Sequence, residues 1–322
     1  MGCCNCKVSC IPRTLTAVSD NLDGTILKHE QTVERRERML AEYLQQTSLD
    51  ANPVLIMHPV NNRLRDLIGR YITQSPSIDL QYIDMSLHRL WQISAQGDVD
   101  EITAEFKEME HVYLADGHHR IASMTKMTLA RMDRYSVNSA EEINGYFMSV
   151  YMDFDEVKIY QFNRLVRDTN GLSPEEFIEK LNHKFSVHVV DRISSPLSPR
   201  KIGMYLGGKS YMLTPKADLY TDDAIGNLDV SVLHKHILQP LLGIDDPRTD
   251  ARITYEGGLT PVEALSGMVD SGIYAVAFIL SPTSIEQVIK VAEDGEVMPP
   301  KSTWVEPKFL VGLLTNCFAV RS

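Results

Sequence analysis

The sharpest feature of the sequence is the stretch Asp116-Gly117-His118-His119-Arg120. It follows an apolar run at 111–114 and precedes residues 121–132, whose apolar side chains recur at helical spacing. A glycine between an apolar run and a helical pattern predicts a strand that turns directly into a helix. The first N–H groups of a helix lack intrahelical partners and carry partial positive charge. The junction therefore predicts an anion site.

The side chains of this stretch favour phosphate as the anion. Gly117 lets the backbone approach a ligand closely, and His118, His119 and Arg120 add donors. The alternative is a structural helix start, with Asp116 as the N-cap and solvated basic groups behind it. The anion site is the better interpretation, because a cap alone does not need four more polar residues.

Strand-like apolar runs and helical patterns alternate along the chain, which predicts an α/β or mixed α+β fold. In the first half, strands are expected at 13–18, 53–57, 79–83 and 111–114, and helices at 34–45, 63–72, 98–110 and 121–132. In the second half, strands are expected at 146–154, 157–162, 204–206, 211–213, 273–280 and 309–314, and helices at 173–181, 229–242 and 284–293. A boundary near 140–145 divides the chain into an N-terminal domain, 1–142, and a C-terminal α+β domain, 143–322.

Glu30 is a candidate general base. It stands in Lys28-His29-Glu30-Gln31-Thr32, after an apolar pair and just before a predicted helix. A carboxylate held close to a phosphate site can take a proton from an attacking hydroxyl. On this segment alone, an ordinary solvated carboxylate is the favoured alternative.

The C-terminal half contains three further polar segments between apolar runs. Pro299-Pro300-Lys301-Ser302-Thr303 offers one cation and two hydroxyls in a rigid loop, without the glycine spacing of a Walker A motif. Asn163-Arg164 and Asp246-Pro247-Arg248-Thr249 stand among apolar runs, and arginine suits the capture of carboxylate or phosphate. A structural salt bridge is an equally good interpretation of both arginines.

Composition narrows the class of protein. The chain has 322 residues and a net charge of −11, which disfavours non-specific binding of nucleic acid. No apolar run approaches the length of a membrane span, so we expect a soluble protein without a membrane partner. Four of the five cysteines lie within the first ten residues, without a second ligand pair for zinc and without a secretory apolar stretch. We expect a reduced N-terminus in the cytoplasm.

These motifs together resemble the free L-serine kinases of the ParB/sulfiredoxin-like superfamily. The N-terminal part of the likeness is the order His-Glu, helix, Pro53-Val-Leu-Ile strand and Asp-Gly-His-His-Arg. The segments at 162–166, 246–249 and 298–304 are similar to a larger family, the domain of unknown function ten-fifteen, with pyrophosphate-dependent serine kinases among its members. The resemblance covers roughly residues 13–315 and implies a ParB/sulfiredoxin-like N-terminal core.

The resemblance also implies a reaction and a set of roles. A phosphoryl group passes from inorganic pyrophosphate to free L-serine, with Mg²⁺, as a step in cysteine biosynthesis. Glu30 deprotonates the serine hydroxyl, and Asp116 assists it or orients substrate and metal. Metal ligands and oligomeric state stay open. The other expected site residues bind the phosphate donor (Gly117, His118, His119, Arg120, Lys301, Ser302 and Thr303) or the substrate (Asn163, Arg164 and Arg248).

Three alternatives stay open at this point. The donor can be ADP or ATP, because kinases that use them share the same loop. A ParB-like nucleotide-binding regulator of DNA is a second class, which the acidic balance disfavours. A sulfiredoxin-like reductase needs a cysteine in the phosphate loop, where this chain has His118.

Overall fold

The computed structural model describes residues 12–83, 85–137, 145–196 and 198–317, and it has the mixed α+β fold that the sequence predicts. The chain forms two compact units. The first unit consists of the residues up to Leu27, Thr32–Val157 and the residues from Phe309 onwards. The second unit consists of Lys28–Gln31 and Lys158–Lys308.

The elements are numbered in chain order. The helices are α1 (Val18–Leu22), α2 (Glu34–Thr47), α3 (Asn62–Ile72), α4 (Gln96–Lys107), α5 (His118–Tyr135), α6 (Pro174–Asn182), α7 (Asp229–Leu233), α8 (Val262–Asp270) and α9 (Ile285–Glu293). The strands are β1 (Arg13–Ala17), β2 (Ile26–Leu27), β3 (Leu49–Asp50), β4 (Val54–His58), β5 (Ile78–Gln81), β6 (Leu87–Leu90), β7 (Val112–Asp116), β8 (Tyr146–Asp153), β9 (Lys158–Tyr160), β10 (Phe162–Val166), β11 (Phe185–Val190), β12 (Ile202–Leu206), β13 (Lys209–Pro215), β14 (Ile253–Gly257), β15 (Val276–Ile279), β16 (Trp304–Glu306) and β17 (Asn316–Cys317).

A five-stranded mixed sheet in the order β1-β8-β4-β7-β2 forms the centre of the first unit. β4 runs parallel to β8 and antiparallel to β7, and every residue of β4 is buried. A strand covered on both faces needs a continuous apolar run, and Val54-Leu55-Ile56-Met57 supplies one. β7 leads through Gly117 into α5, which packs on α2.

The core of the first unit joins the sheet to α5. Ile56, Leu114 and Phe147 contribute from the strands, and Ile121 and Met124 from the helix, all of them almost completely buried. The apolar residues of α5 recur at helical spacing, so one face of the helix covers the sheet. This packing fixes the direction in which α5 leaves Gly117.

A six-stranded antiparallel sheet in the order β11-β13-β12-β15-β10-β14 forms the centre of the second unit. Leu165 and Ile279 of this sheet pack with Leu265 of α8 in one buried cluster. α6 begins at the capping box that the sequence predicts, with Ser173 accepting from the Glu176 amide. β9 and β16 form a separate two-stranded ribbon.

The units divide the chain differently from the expected domains 1–142 and 143–322. The expected boundary lies outside the described residues. The strand that follows it, β8, pairs with β1 and β4 and belongs to the first unit. β8 is buried from Phe147 to Asp153, like its neighbour β4, and the change of unit comes after Val157.

Some expected elements take another form. The strand predicted at 309–314 is wrong, because this segment makes turns in which Gly312 has a φ of 81° and Val311 is exposed. The helix predicted at 229–242 is α7 followed by a π-helical turn, His234–Leu238. The sequence patterns missed two helices, α1 and α8, and the strands β2, β3, β6, β10, β11, β14, β16 and β17.

Two further observations bear on the expected class of protein. Among the helices of the described ranges, none combines the length and the hydropathy that a membrane span requires. The four N-terminal cysteines, on which the expectation of a reduced terminus depends, lie outside the described residues.

Leu114→Ala tests the packing of the first unit. Leu114 is fully buried, so its truncation leaves a cavity between β7 and α5 and should lower the free energy of unfolding by about 2–5 kcal/mol. Leu129→Ala on the exposed side of α5 is the matched control, with an expected change within about 0.5 kcal/mol. Urea denaturation followed by circular dichroism measures both, and equal losses would contradict this packing.

Candidate functional site

The second unit brings the Glu30 segment against the Pro-Pro-Lys-Ser-Thr loop. The Met298 amide donates to the carbonyl of His29 at 2.9 Å, and His29 Nε2 lies 3.4 Å from Thr303 Oγ1. His29 is only 1% exposed. Because Glu30 follows His29 directly, the predicted base and the predicted Lys301 loop lie side by side, although about 270 residues separate them in sequence.

The loop itself is tightly constrained. The Ser302 hydroxyl donates to the carbonyl of Pro299 at 2.6 Å, and the Thr283 hydroxyl donates to the carbonyl of Ser302 at 3.1 Å. Lys301 has a φ of 57°, a left-handed conformation that residues other than glycine seldom adopt. Backbone strain of this kind persists where surrounding contacts fix it, and it clusters at functional sites.

Arg164 lies beneath this loop. Its guanidinium donates to the carbonyl of Phe162 and, at 2.9 Å, to the carbonyl of Lys301, and it lies 5.5 Å from the centre of the Tyr255 ring. The residue is 2% exposed and has no ion pair with a carboxylate in the described ranges. Burial lowers its pKa to about 10, so it carries a positive charge at neutral pH. The salt-bridge alternative therefore does not explain Arg164.

The other two predicted substrate residues have different surroundings. Arg248 forms an exposed ion pair with Asp246, at 3.0 Å, and lies 3.5 Å from Gln31 Oε1. This pair matches the salt-bridge alternative. Asn163 is completely buried, and neither atom of its side-chain amide has a hydrogen-bond partner in the part of the chain described.

His234 is a titratable residue near this site that sequence reasoning missed. Burial lowers the pKa of its imidazole, the Asp246 carboxylate raises it, and the Arg164 charge lowers it. It begins the π-helical turn, a feature that is frequent at functional sites. In the sequence, His234 is a single histidine within a helical pattern. A histidine of the core with satisfied hydrogen bonds gives the same pattern, so the sequence does not single it out.

The Asp116–Arg120 stretch belongs to the first unit and forms the predicted strand–glycine–helix junction. Gly117 has a φ of 105°, and a Cβ atom there would lie 3.0 Å from the Arg120 guanidinium. Arg120 donates to Asp116 at 2.6 Å, to Asn52 Oδ1 at 2.6 Å and to the carbonyl of Pro53. The guanidinium thus folds back onto its own loop, and its predicted contact with donor phosphates stays a prediction.

The two histidines of the junction differ in exposure and contacts. His119 Nε2 accepts a hydrogen bond from the Val33 amide at 3.0 Å, which indicates a ring with its proton on Nδ1. His118 is buried. The bond between Val33 and His119 fixes the start of α2 to the start of α5 within the first unit.

A dedicated metal cage is absent from the described residues, where no three His, Cys, Asp or Glu side chains cluster. Mg²⁺ needs no such cage, because it commonly binds through one or two carboxylates together with the phosphates of a substrate. Asp116, in the first unit, is the carboxylate that the sequence resemblance connects with a metal, and this role stays a prediction.

The sequence matches the family described as a protein of unknown function, DUF1015, over residues 14–231. This match covers more than half of the chain. The chain belongs to the DUF1015 family. No curated protein matches the sequence.

Several solved structures are similar to this chain at low identity. A free serine kinase variant in complex with AMP is 14% identical, with a TM-score of 0.46, over 95% of this chain and 92% of that chain. A free serine kinase variant with ADP is 14% identical, with a TM-score of 0.44, over 91% and 87%. SbnI with a C-terminal truncation, from Staphylococcus aureus, is 13% identical, with a TM-score of 0.45, over 93% and 85%.

Gly117→Ala tests the junction of the first unit. The added Cβ atom would contact Arg120, and alanine would have to adopt the left-handed backbone of Gly117. We therefore expect the free energy of unfolding to fall by about 1 kcal/mol or more. Gly69→Ala in α3 is the matched control, because nothing lies within 4 Å of its Cβ position and its φ is not positive. Alanine in a helix should stabilise by about 0.5–1 kcal/mol. Thermal unfolding of both variants measures the contrast, and a stabilising Gly117→Ala would contradict the geometry.

Proposed function

We propose that the chain is a kinase that transfers a phosphoryl group from inorganic pyrophosphate to free L-serine, giving O-phospho-L-serine and phosphate. The observation that carries the proposal is the attachment of the Glu30 segment to the Lys301 loop in the second unit. A carboxylate and a cation next to a rigid loop suit phosphoryl transfer, in which catalysis is mostly positioning and charge stabilisation. The sequence resemblance to free serine kinases supplies the substrate.

Each predicted residue has a defined part in the proposed reaction. Glu30 accepts the proton of the serine hydroxyl, and the serine oxygen forms a bond to one phosphorus of pyrophosphate. The bond from that phosphorus to the bridging oxygen breaks, and phosphate leaves. Lys301 offsets charge on the donor, and the Thr303 hydroxyl adds a polar contact. The Ser302 hydroxyl, which was also expected to bind the donor, donates instead to the carbonyl of Pro299 and holds the loop.

Groups of the first unit are further candidates for binding the donor. The donor phosphates also interact with the start of α5, from Gly117 to His119, where the helix dipole favours anions. Mg²⁺ would bind the donor together with Asp116 and would neutralise its charge. A place in cysteine biosynthesis follows from the product, phosphoserine.

The donor is tested by direct comparison. The purified chain is incubated with L-serine, Mg²⁺ and, in separate reactions, pyrophosphate, ADP or ATP, and phosphoserine is quantified by mass spectrometry. AMP and ADP occur in the free serine kinase structures, so the nucleotide arms are required. We expect the fastest formation with pyrophosphate. If phosphoserine forms faster with ADP or ATP, that nucleotide replaces pyrophosphate as the proposed donor. If no donor gives phosphoserine, the proposed function is refuted.

Glu30→Gln tests the base. The amide keeps the size and hydrogen bonding of the side chain but accepts no proton, so turnover should fall roughly 10²-fold or more. The melting temperature should change little, because the backbone of His29 and not the Glu30 carboxylate bonds to Met298. Glu296→Gln, an exposed carboxylate of the second unit, should leave turnover unchanged. Near-normal turnover of Glu30→Gln would remove Glu30 from the mechanism.

A further inference from the structure

We infer that Arg164 is a positioning residue, which holds the loop that fixes Glu30 and does not itself bind substrate. The inference rests on the proposed function only in that Glu30 is the base. It revises the part expected for Arg164, and it follows from a continuous series of contacts inside the second unit.

The series begins at the guanidinium. Arg164 donates to the carbonyl of Lys301, the residue with the left-handed backbone. The next two residues of the loop are held by Thr283, which donates to the carbonyl of Ser302, and by the contact of Thr303 with His29. Displacement of the Lys301 carbonyl would therefore move the backbone on which His29, and with it Glu30, is fixed.

The burial of Arg164 argues against direct contact with substrate. At 2% exposure the side chain is covered by the protein itself. The small cavity that Arg164 lines with Asp229 has a volume of about 10 Å³, which holds a single water molecule and neither serine nor pyrophosphate. Asp229 is occupied as well, because its carboxylate accepts from the Arg200 amide and from the hydroxyls of Tyr220 and Ser281.

The chemistry of the side chain explains why an arginine is suited to this task. A buried charge without a carboxylate partner is costly, and an apolar side chain of similar volume would fill the space without that cost. The planar guanidinium, however, presents donors in a fixed fork and reaches two carbonyls at once, those of Phe162 and Lys301. The cation–π contact with Tyr255 fixes its plane.

Positioning and binding predict different kinetics for Arg164→Met, which keeps much of the volume and removes the donors. If Arg164 positions Glu30, its loss should lower kcat, because a misplacement of about 1 Å can slow a reaction roughly 10²-fold. The KM for serine should then stay within about twofold of the value for the unmodified chain. Arg164→Lys retains a positively charged donor group without the planar fork and should recover part of kcat. Arg167→Met is the matched control. Arg167 is exposed, its side chain lies over the Tyr274 ring, and its amide donates to the carbonyl of Arg252, a bond that the substitution keeps. A raised KM for serine with unchanged kcat would overturn the inference.

Hydrogen–deuterium exchange gives a second measurement that does not depend on activity. In Arg164→Met, peptides covering 297–304 and 28–33 should exchange faster than in the unmodified chain, and in Arg167→Met they should not. If Arg164→Met does not fold, Arg164→Lys carries the same comparison. Faster exchange in a chain that forms no phosphoserine with any donor supports the inference while the proposed function fails. Unchanged exchange overturns the inference even if the kinase activity is present.

Discussion

The hydrogen bond from the Met298 amide to the carbonyl of His29 holds the segment of the proposed base in place. It joins two stretches of the second unit that are far apart in sequence, and it lies beside a histidine that is almost fully buried. A buried backbone hydrogen bond is expensive to break without a replacement. The bond therefore fixes the backbone next to Glu30 more firmly than a surface contact could, and it does so through main-chain atoms of His29.

The two cations next to the loop at 299–303, the buried Arg164 and the exposed Lys301, have different effects. Arg164 is buried, satisfied by two carbonyls and still protonated at neutral pH, so its effect is structural and electrostatic at once. Lys301 is exposed, and its ammonium lies 5.2 Å from the centre of the Phe162 ring. An exposed, flexible cation can move to a ligand at little cost. This division explains why the two residues, which both appear as anion-binding candidates in the sequence, are assigned different roles.

Local patterns predict the α+β class, most elements and the junction at Gly117, because burial and helix starts leave short-range signals. They fail at 309–314, where a run of apolar residues is divided by Gly312 and stays partly exposed. They also cannot show that Arg120 folds back onto Asn52 and Pro53, or that residue 29 bonds to residue 298, since such contacts depend on how distant elements pack. Pattern reasoning selected Glu30, Arg164 and Lys301 as separate candidates, and only the fold of the second unit brings them into one series of contacts.

The proposed reaction makes a bond between phosphorus and the hydroxyl oxygen of free serine. Carbon-13 NMR of L-serine labelled at the hydroxyl-bearing carbon tests it most directly, because that resonance splits through coupling to phosphorus only when the oxygen carries a phosphoryl group. With pyrophosphate and Mg²⁺ the unmodified chain should convert the single resonance into a shifted doublet, and the Glu30→Gln variant should leave it nearly unchanged. A resonance that stays single with pyrophosphate, ADP and ATP alike would refute the proposed kinase activity.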